Sequence, residues 1–174
     1  MVNAKERKIR IFNREAKLSL RQMFVYAMFA YFRKNNIGEN GFAGLDGITT
    51  GDLERVCRLF VDADEDDSAI DLFCERLKRS KFIYNFDPAI VRDDLLEFRR
   101  KNYLKLGLKS PRDAVVTREE AGKKVGKSYR ETLDRISENL VAAKIDLRYD
   151  IRRKGDKGGY IFGLEIEPRK IVFE

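Results

Sequence analysis

Residues Thr117 to Leu140 read TREEAGKKVGKSYRETLDRISENL, and this stretch decides how the fold of the chain is predicted. It contains the capping-box pattern, Ser or Thr followed three residues later by Glu, at Thr117 with Glu120 and again at Ser128 with Glu131. In such a box the hydroxyl and the carboxylate each accept a backbone N–H at a helix N-terminus. The stretch therefore predicts two consecutive helices.

A turn between the two helices is expected at Val125-Gly126-Lys127, because a glycine there can adopt the positive φ that a sharp turn needs. Apolar side chains of the second helix recur at helical spacing and are expected to pack inward: Tyr129, Leu133, Ile136 and Leu140. The pattern is typical of a helix-turn-helix. The alternative is an amphipathic helical hairpin with charged, solvated faces.

The same stretch resembles the DNA-reading unit of the cyclic-AMP-receptor and Fnr class of bacterial regulators, T-R-x-E-x-G-x-x-V-G-x-S-R-E-T-V-x-R-I. With Tyr129 allowed as one extra residue, the matching positions are Thr117, Arg118, Glu120, Gly122, Val125, Gly126, Ser128, Arg130, Glu131, Thr132, Arg135 and Ile136. The resemblance implies a winged helix-turn-helix that binds double-stranded DNA.

Three base-reading side chains are implied by the resemblance: Arg130, Glu131 and Arg135. Arginine can donate two hydrogen bonds to guanine O6 and N7, and glutamate can accept one from cytosine N4. Lys127 of the predicted turn, and Ser128 and Tyr129 at the start of the predicted second helix, are assigned to the same DNA surface.

A β-hairpin is predicted after this stretch. Apolar and polar residues alternate over residues 145–152 and again over residues 160–166, and the segment RKGDKGG at 153–159 forms a glycine-rich turn between them. A hairpin that directly follows a helix-turn-helix is a wing, whose cations contact phosphates. The candidates are Arg152, Arg153, Lys154 and Lys157. The alternative is an ordinary hairpin with a solvated basic tip.

The composition is that of a globular protein, with 43% hydrophobic and 37% charged residues among 174. The net charge of +7 favours polyanionic partners.

The chain has no histidine, which excludes histidine metal sites and histidine general bases. Two short motifs fail as well: residues 121–128 match a phosphate loop only loosely, and the aspartates after Asp62 lack the glycine and glutamate of a calcium loop. No metal, cofactor or enzymatic activity is predicted.

The two cysteines and the hydropathy of the chain indicate the cellular compartment of the protein. Cys57 and Cys74 are expected to be free buried thiols in a reducing compartment, which indicates the cytoplasm. The apolar run from Met23 to Phe32 is far shorter than the ~20 residues of a membrane span, so no membrane association is predicted.

The N-terminal half is predicted to be mainly helical. Residues 1–17 are expected to be a basic arm with a short strand at Ile9 to Phe12, either following a phosphate backbone or frayed. Ser19 with Gln22 is expected to cap a central helix that ends near Asn35 and is buried on most sides. Further helices are expected at 51–61, capped by Thr50, and at 68–79, before a short strand at 81–86. This order also allows a second, degenerate winged helix.

The predicted domains follow from a helix start and a helix stop. Asp87-Pro88 is expected to begin a helix that continues to about Leu106, with Gly107 as its end. The domains are a basic arm (1–17), a helical domain (18–107) for which a winged-helix-like fold is the alternative, and a winged helix-turn-helix (111–174). The predicted fold class is α+β, mainly α with a C-terminal β-hairpin.

The sequence favours a sequence-specific double-stranded DNA-binding protein, acting as a transcription regulator and binding as a homodimer. A plasmid or phage replication initiator with tandem winged helices is an alternative. The third hypothesis is a winged-helix adaptor that contacts a protein partner through an acidic arc, Glu131, Asp134 and Glu138.

Overall fold

The computed structural model describes residues 1–44, 48–61, 68, 71–73, 88–156 and 159–174. The protein has a mixed helix and sheet fold, which confirms the predicted α+β class. Expectations that fall on residues 62–67 and 74–87 lie outside the described part; they include the acidic segment after Val61, Cys74 and the strand at 81–86. The α-helices that the structure describes over their full length are α1 (Leu20–Lys34), α2 (Thr50–Cys57), α3 (Pro88–Lys101) and α4 (Arg118–Ala142).

The N-terminal segment forms an antiparallel sheet, where a basic arm with one strand was expected. Its strands are β1 (Val2–Asn3), β2 (Lys8–Ile11) and β3 (Arg14–Lys17), in the order β1-β2-β3. Val2 pairs with Ile9 and Ile9 pairs with Ala16, and all three side chains are buried. This cross-strand row explains why the segment is ordered, because it removes apolar surface from water.

The second antiparallel sheet contains the predicted hairpin. Its strands are β4 (Phe42–Gly44), β5 (Ile151–Asp156) and β6 (Gly159–Leu164), in the order β4-β6-β5. The hairpin begins at Ile151 instead of Ile145, because a 3₁₀ turn occupies Leu147–Tyr149. The Asp146 carboxylate accepts the Arg148 N–H at 2.8 Å and caps that turn.

Helix α1 is the predicted central helix. Ser19 accepts the Gln22 N–H at 3.3 Å, and the Gln22 side chain accepts the Ser19 N–H at 2.8 Å, which confirms the expected capping box. From Met23 to Ala30 every side chain is buried, so this segment of the helix is enclosed on all sides. The rings of Phe24 and Phe60 stack with centroids 5.7 Å apart.

Polar side chains of α1 connect it to the C-terminal part of the chain. The Tyr26 hydroxyl donates to the Tyr149 carbonyl at 2.7 Å, and Arg33 Nε donates to the Ile166 carbonyl at 2.8 Å. These bonds satisfy groups that would otherwise be buried or partly buried without partners, at a cost of about 1–3 kcal/mol each.

Helix α4 is continuous, and this corrects the expectation of two helices with a turn at residues 125–127. Thr117 does cap the first turn, since its hydroxyl accepts the Glu120 N–H at 3.1 Å. The second predicted start at Ser128 lies inside the helix. A helical Gly126 costs only about 1 kcal/mol relative to alanine, whereas a break would leave backbone groups on both sides in need of caps.

The structure divides into two compact units. The first unit comprises Met1–Arg76 and Thr132–Glu174, and the second comprises Leu77–Glu131. The boundary expected at residues 108–111 lies inside the second unit. Strands β4 and β6, which the sequence assigns to different domains, share one sheet in the first unit.

The described part of the second unit comprises α3, two 3₁₀ turns and the first part of α4. Helix α3 begins at Pro88 as predicted, and its α-helical part ends at Lys101. A 3₁₀ turn, Leu104–Leu106, then ends at Gly107 with φ 71°. Arg99 donates to the Val115 carbonyl and to the Glu120 carboxylate, which joins α3 to the start of α4.

Candidate nucleic-acid interface

Most of the α4 residues predicted to contact DNA are exposed to solvent. Lys127, Arg130, Glu131 and Arg135 are exposed. The position of the Ser128 side chain lies outside what the structure describes. Exposure makes the four charged side chains accessible to a partner, but it is also the ordinary state of charged residues on a helix surface.

Tyr129 does not belong to this exposed set. Its side chain is only 2% exposed, and burial raises the pKa of its hydroxyl well above the ordinary value. The expectation that Tyr129 contacts DNA is therefore corrected: its side chain is buried, as helical periodicity predicts.

The continuous helix fixes the relative directions of the three predicted base readers. Arg130 and Arg135 are five residues apart, which separates their directions by about 140° around the helix axis. Glu131 and Arg135 are four residues apart and lie within about 40° of each other. Arg135 can therefore share one narrow face with Glu131 but not with Arg130.

The acidic arc predicted as a protein-binding surface is also present on α4. Glu131, Asp134 and Glu138 are all exposed and follow one another at spacings of three and four residues. Arg135 lies among them, so this face has mixed charge and a net negative sum. A phosphate backbone would be repelled by three of these four side chains.

Cations of the hairpin are exposed on both faces of the sheet. Arg152, Arg153 and Lys154 are exposed, whereas Lys157 lies outside the described residues. Because neighbouring residues of a strand alternate in direction, Arg152 and Lys154 share one face and Arg153 lies on the other. The basic side chains therefore flank the hairpin instead of forming a single stripe.

Aromatic rings hold two of these cations in place. The Arg153 guanidinium lies 4.5 Å from the centroid of the Tyr160 ring, and Lys154 Nζ lies 3.9 Å from the centroid of Phe42. Lys154 Nζ is also 3.4 Å from the Glu165 carboxylate. Such contacts orient a cation while leaving most of its hydrogen-bond donors available.

Two carboxyls lie in the segment that leads from α4 into the hairpin. The Arg148 side chain and backbone N–H lower the pKa of Asp146 to about 2. Burial raises the pKa of Asp150, although the Ser137 hydroxyl donates a hydrogen bond to this carboxyl. The Asp150 carboxyl also accepts the Ile151 N–H at 2.8 Å, so it fixes the start of β5.

A polar cleft of about 470 Å³ beside the hairpin was missed by the sequence analysis. Arg33, Phe42, Lys154 and Glu165 are among its lining residues. Arg33 Nη1 donates to the Asn40 carbonyl at 2.5 Å, so the arginine braces the loop before β4. No local signal identifies this cleft, since its walls come from both ends of the chain.

Comparison with protein family models, curated proteins and solved structures finds no match for the chain. Within the described ranges, no helix is long and apolar enough to cross a membrane. Among the residues that the structure describes, no group of three or more Cys, Asp or Glu side chains is arranged to hold a metal ion.

Proposed function

We propose that this protein is a sequence-specific double-stranded DNA-binding protein, acting as a transcription regulator through a winged module in its first unit. One observation carries the proposal. The short strand β4, which follows α1 and precedes α2, pairs with β6, the second strand of the basic hairpin. Winged helix modules have this arrangement, in which the hairpin that follows the last helix extends a small sheet.

The proposed roles are divided between helix and hairpin. Arg152, Arg153 and Lys154 contact phosphates, which supplies affinity without sequence information. Arg135 reaches a base edge from α4, where a bidentate contact with guanine would supply specificity. The inward-facing Tyr129 supports the helix and makes no contact with DNA.

The charge distribution supports this division. The hairpin has three exposed cations over consecutive positions, and the described part of its first strand has Asp156 as its single acidic residue. The exposed charged residues of α4 beyond Arg130 are acidic apart from Arg135. In our proposal the hairpin therefore provides most of the attraction to the backbone, and α4 provides discrimination.

The test is DNA binding by the full chain at several salt concentrations, preceded by selection from a random pool of duplexes. Specific binding predicts an enriched sequence and a slope of log affinity against log salt of about −0.9 for each phosphate contact. A palindromic product would indicate the expected homodimer. Weak binding with no enriched sequence would remove the proposal.

The replication-initiator alternative predicts the same contacts and differs in what is recruited to the DNA.

A protein adaptor is the second candidate, because Glu131, Asp134 and Glu138 form an exposed acidic arc on one helix. This surface suits a basic protein partner better than it suits DNA. The adaptor hypothesis predicts that charge reversal of Glu138 leaves DNA binding unchanged or improves it, and abolishes capture of a basic partner.

A further inference from the structure

A cavity of about 270 Å³ lies in the first unit, and none of its lining residues is among those proposed to contact DNA. Its buried walls are formed by Tyr26 and Ala30 of α1, Leu164 of β6 and Ile171 near the C-terminus. The side chains of these walls are apolar except for the Tyr26 hydroxyl, which already donates to the Tyr149 carbonyl at 2.7 Å. The interior therefore suits a hydrocarbon group and not a sugar or a base.

Cations lie at the mouth of this cavity. Arg10 and Lys170 line it and are exposed, and none of its lining residues is acidic. Arg10 Nη2 is 3.2 Å from the Glu15 carboxylate, and Lys170 Nζ is 2.9 Å from the Glu167 carboxylate. Exposed pairs of this kind contribute little, about 0–1 kcal/mol, so a competing anion can take either cation.

We propose that this cavity binds a small amphipathic carboxylate, with its hydrocarbon chain against Tyr26, Ala30 and Leu164 and its carboxylate between Arg10 and Lys170. At the ~30 Å³ that one water molecule occupies in the liquid, the cavity has room for roughly nine non-hydrogen groups of similar size. This corresponds to a carboxylate of medium chain length, and octanoate is a suitable probe. The site does not depend on the proposed DNA binding.

The turn between β2 and β3 provides a second feature of the mouth. Phe12 also lines the cavity; its side chain is 87% exposed and its φ is 54°. A bulky residue at positive φ is strained, and strain of this kind is often found at ligand clamps. A hydrocarbon chain in the mouth would give the exposed Phe12 ring an apolar surface to cover.

The experiment titrates the isotopically labelled full-length chain with octanoate and, separately, with octan-1-ol, following amide shifts by NMR. The expected result is saturable binding of octanoate, with the largest shifts at Ala30, Leu164 and Ile171. Octanol should bind more weakly at the same residues, because it lacks the charge that Arg10 and Lys170 attract.

Charge variants test the position of the carboxylate. Lys170→Gln should weaken octanoate binding by about two- to fivefold and leave octanol binding unchanged. Arg169→Gln is the matched control: Arg169 precedes Lys170 in the same 3₁₀ turn and also pairs with Glu167, at 2.8 Å, but does not line the cavity. This control should bind octanoate like the unmodified chain.

Three results would overturn the inference. Absence of saturable octanoate binding to the unmodified chain rejects the cavity as a site, and shifts scattered over the surface do the same. Equal losses in Lys170→Gln and Arg169→Gln reject the carboxylate position. Both variants change exposed side chains, so they test the site without altering the buried walls.

Discussion

Phe42 lies directly opposite Gly163 in the pairing of β4 with β6. A Cβ at Gly163 would lie 2.8 Å from Phe42 Cγ and 2.6 Å from the Gly41 carbonyl oxygen. The glycine thus allows the Phe42 ring and the loop before β4 to approach the hairpin closely. Because β4 connects the hairpin to the N-terminal half of the chain, this contact holds the proposed winged module together.

Gly163→Ala is therefore expected to destabilise the protein by about 1–3 kcal/mol, because the backbone atoms near the new Cβ cannot move aside cheaply. Gly122→Ala is the matched control. Gly122 lies in α4, and a Cβ there would meet no atom within 4 Å apart from the neighbouring backbone of its own helix, so alanine should stabilise by about 0.5–1 kcal/mol. Urea unfolding of both variants checks the prediction, and equal effects would contradict it.

Arg152→Ala should weaken binding to all DNA sequences alike and reduce the magnitude of the salt slope by about one, because one phosphate contact is lost. Fluorescence anisotropy at several salt concentrations measures both quantities. Arg169→Ala removes the same charge outside the hairpin and should leave the slope unchanged. Equal salt slopes for Arg152→Ala and Arg169→Ala would show that DNA binding depends on net charge alone and not on the hairpin.

Arg135→Ala should cost about 1–3 kcal/mol of specific DNA binding and relax the preference at one base position. Arg130→Ala is the matched control, since it removes the same charge from the same helix about 140° around its axis. This control should not relax that base position. Selection from a random pool with each variant measures the preference; an unchanged preference in Arg135→Ala rules out its proposed role.

Asp150→Asn should change how stability depends on pH. Burial raises the pKa of Asp150 in the folded protein above its ordinary 3.8, so its stabilising contribution is complete below pH 3.8. That contribution is lost as the pH rises through the raised pKa that Asp150 has in the folded protein. The variant should therefore gain unfolding free energy relative to the unmodified chain as pH rises from 3 to 7, measured by urea unfolding.

Asp146→Asn provides the control of opposite sign. Arg148 lowers the pKa of Asp146 to about 2, so its contribution is present above pH 3.8 and is lost as pH falls through 2. This variant should lose stability relative to the unmodified chain at pH 7. The same direction of change in both variants would contradict the assigned causes.

Arg99→Ala should destabilise the second unit by about 0.5–1.5 kcal/mol, because the Val115 carbonyl and the Glu120 carboxylate lose a donor that water replaces only in part. Hydrogen exchange of α3 and of the first turns of α4 measures the effect locally. Arg100→Ala, on the exposed side of α3, should have little effect. Protection unchanged by Arg99→Ala would show that the contact carries no stability.

Local signals in the sequence predicted several elements correctly. The Ser19 box and the apolar run after it predicted α1, and the alternation around residues 151–164 predicted the hairpin. The N-cap of α2 was predicted one residue too late: Thr50 was expected, but Thr49 is the cap. The Asp52 carboxylate returns to the Thr49 N–H at 3.1 Å, a box that the sequence also contains once Asp is allowed at its last position.

The candidate site was predicted only in part. Exposure of Arg130, Glu131 and Arg135 followed from their spacing, but their relative directions did not, since these depend on whether α4 is broken near Gly126. Both a turn and a straight helix satisfy the local pattern. No local pattern in the sequence predicts the cavity lined by Phe12, because its walls come from α1, β6 and both ends of the chain.

The sequence by itself determined where α1, α3 and α4 begin, which of their side chains face inward and roughly where the hairpin lies, because hydrogen bonds between residues three or four apart and period-two alternation act within one segment. Only the tertiary structure decided that β4 joins the hairpin, that the N-terminal strands bury Val2, Ile9 and Ala16, and that α4 continues through Gly126. These features depend on which apolar surfaces, far apart in the sequence, bury one another away from water. Such contacts form between segments, so the pattern within one segment does not predict them.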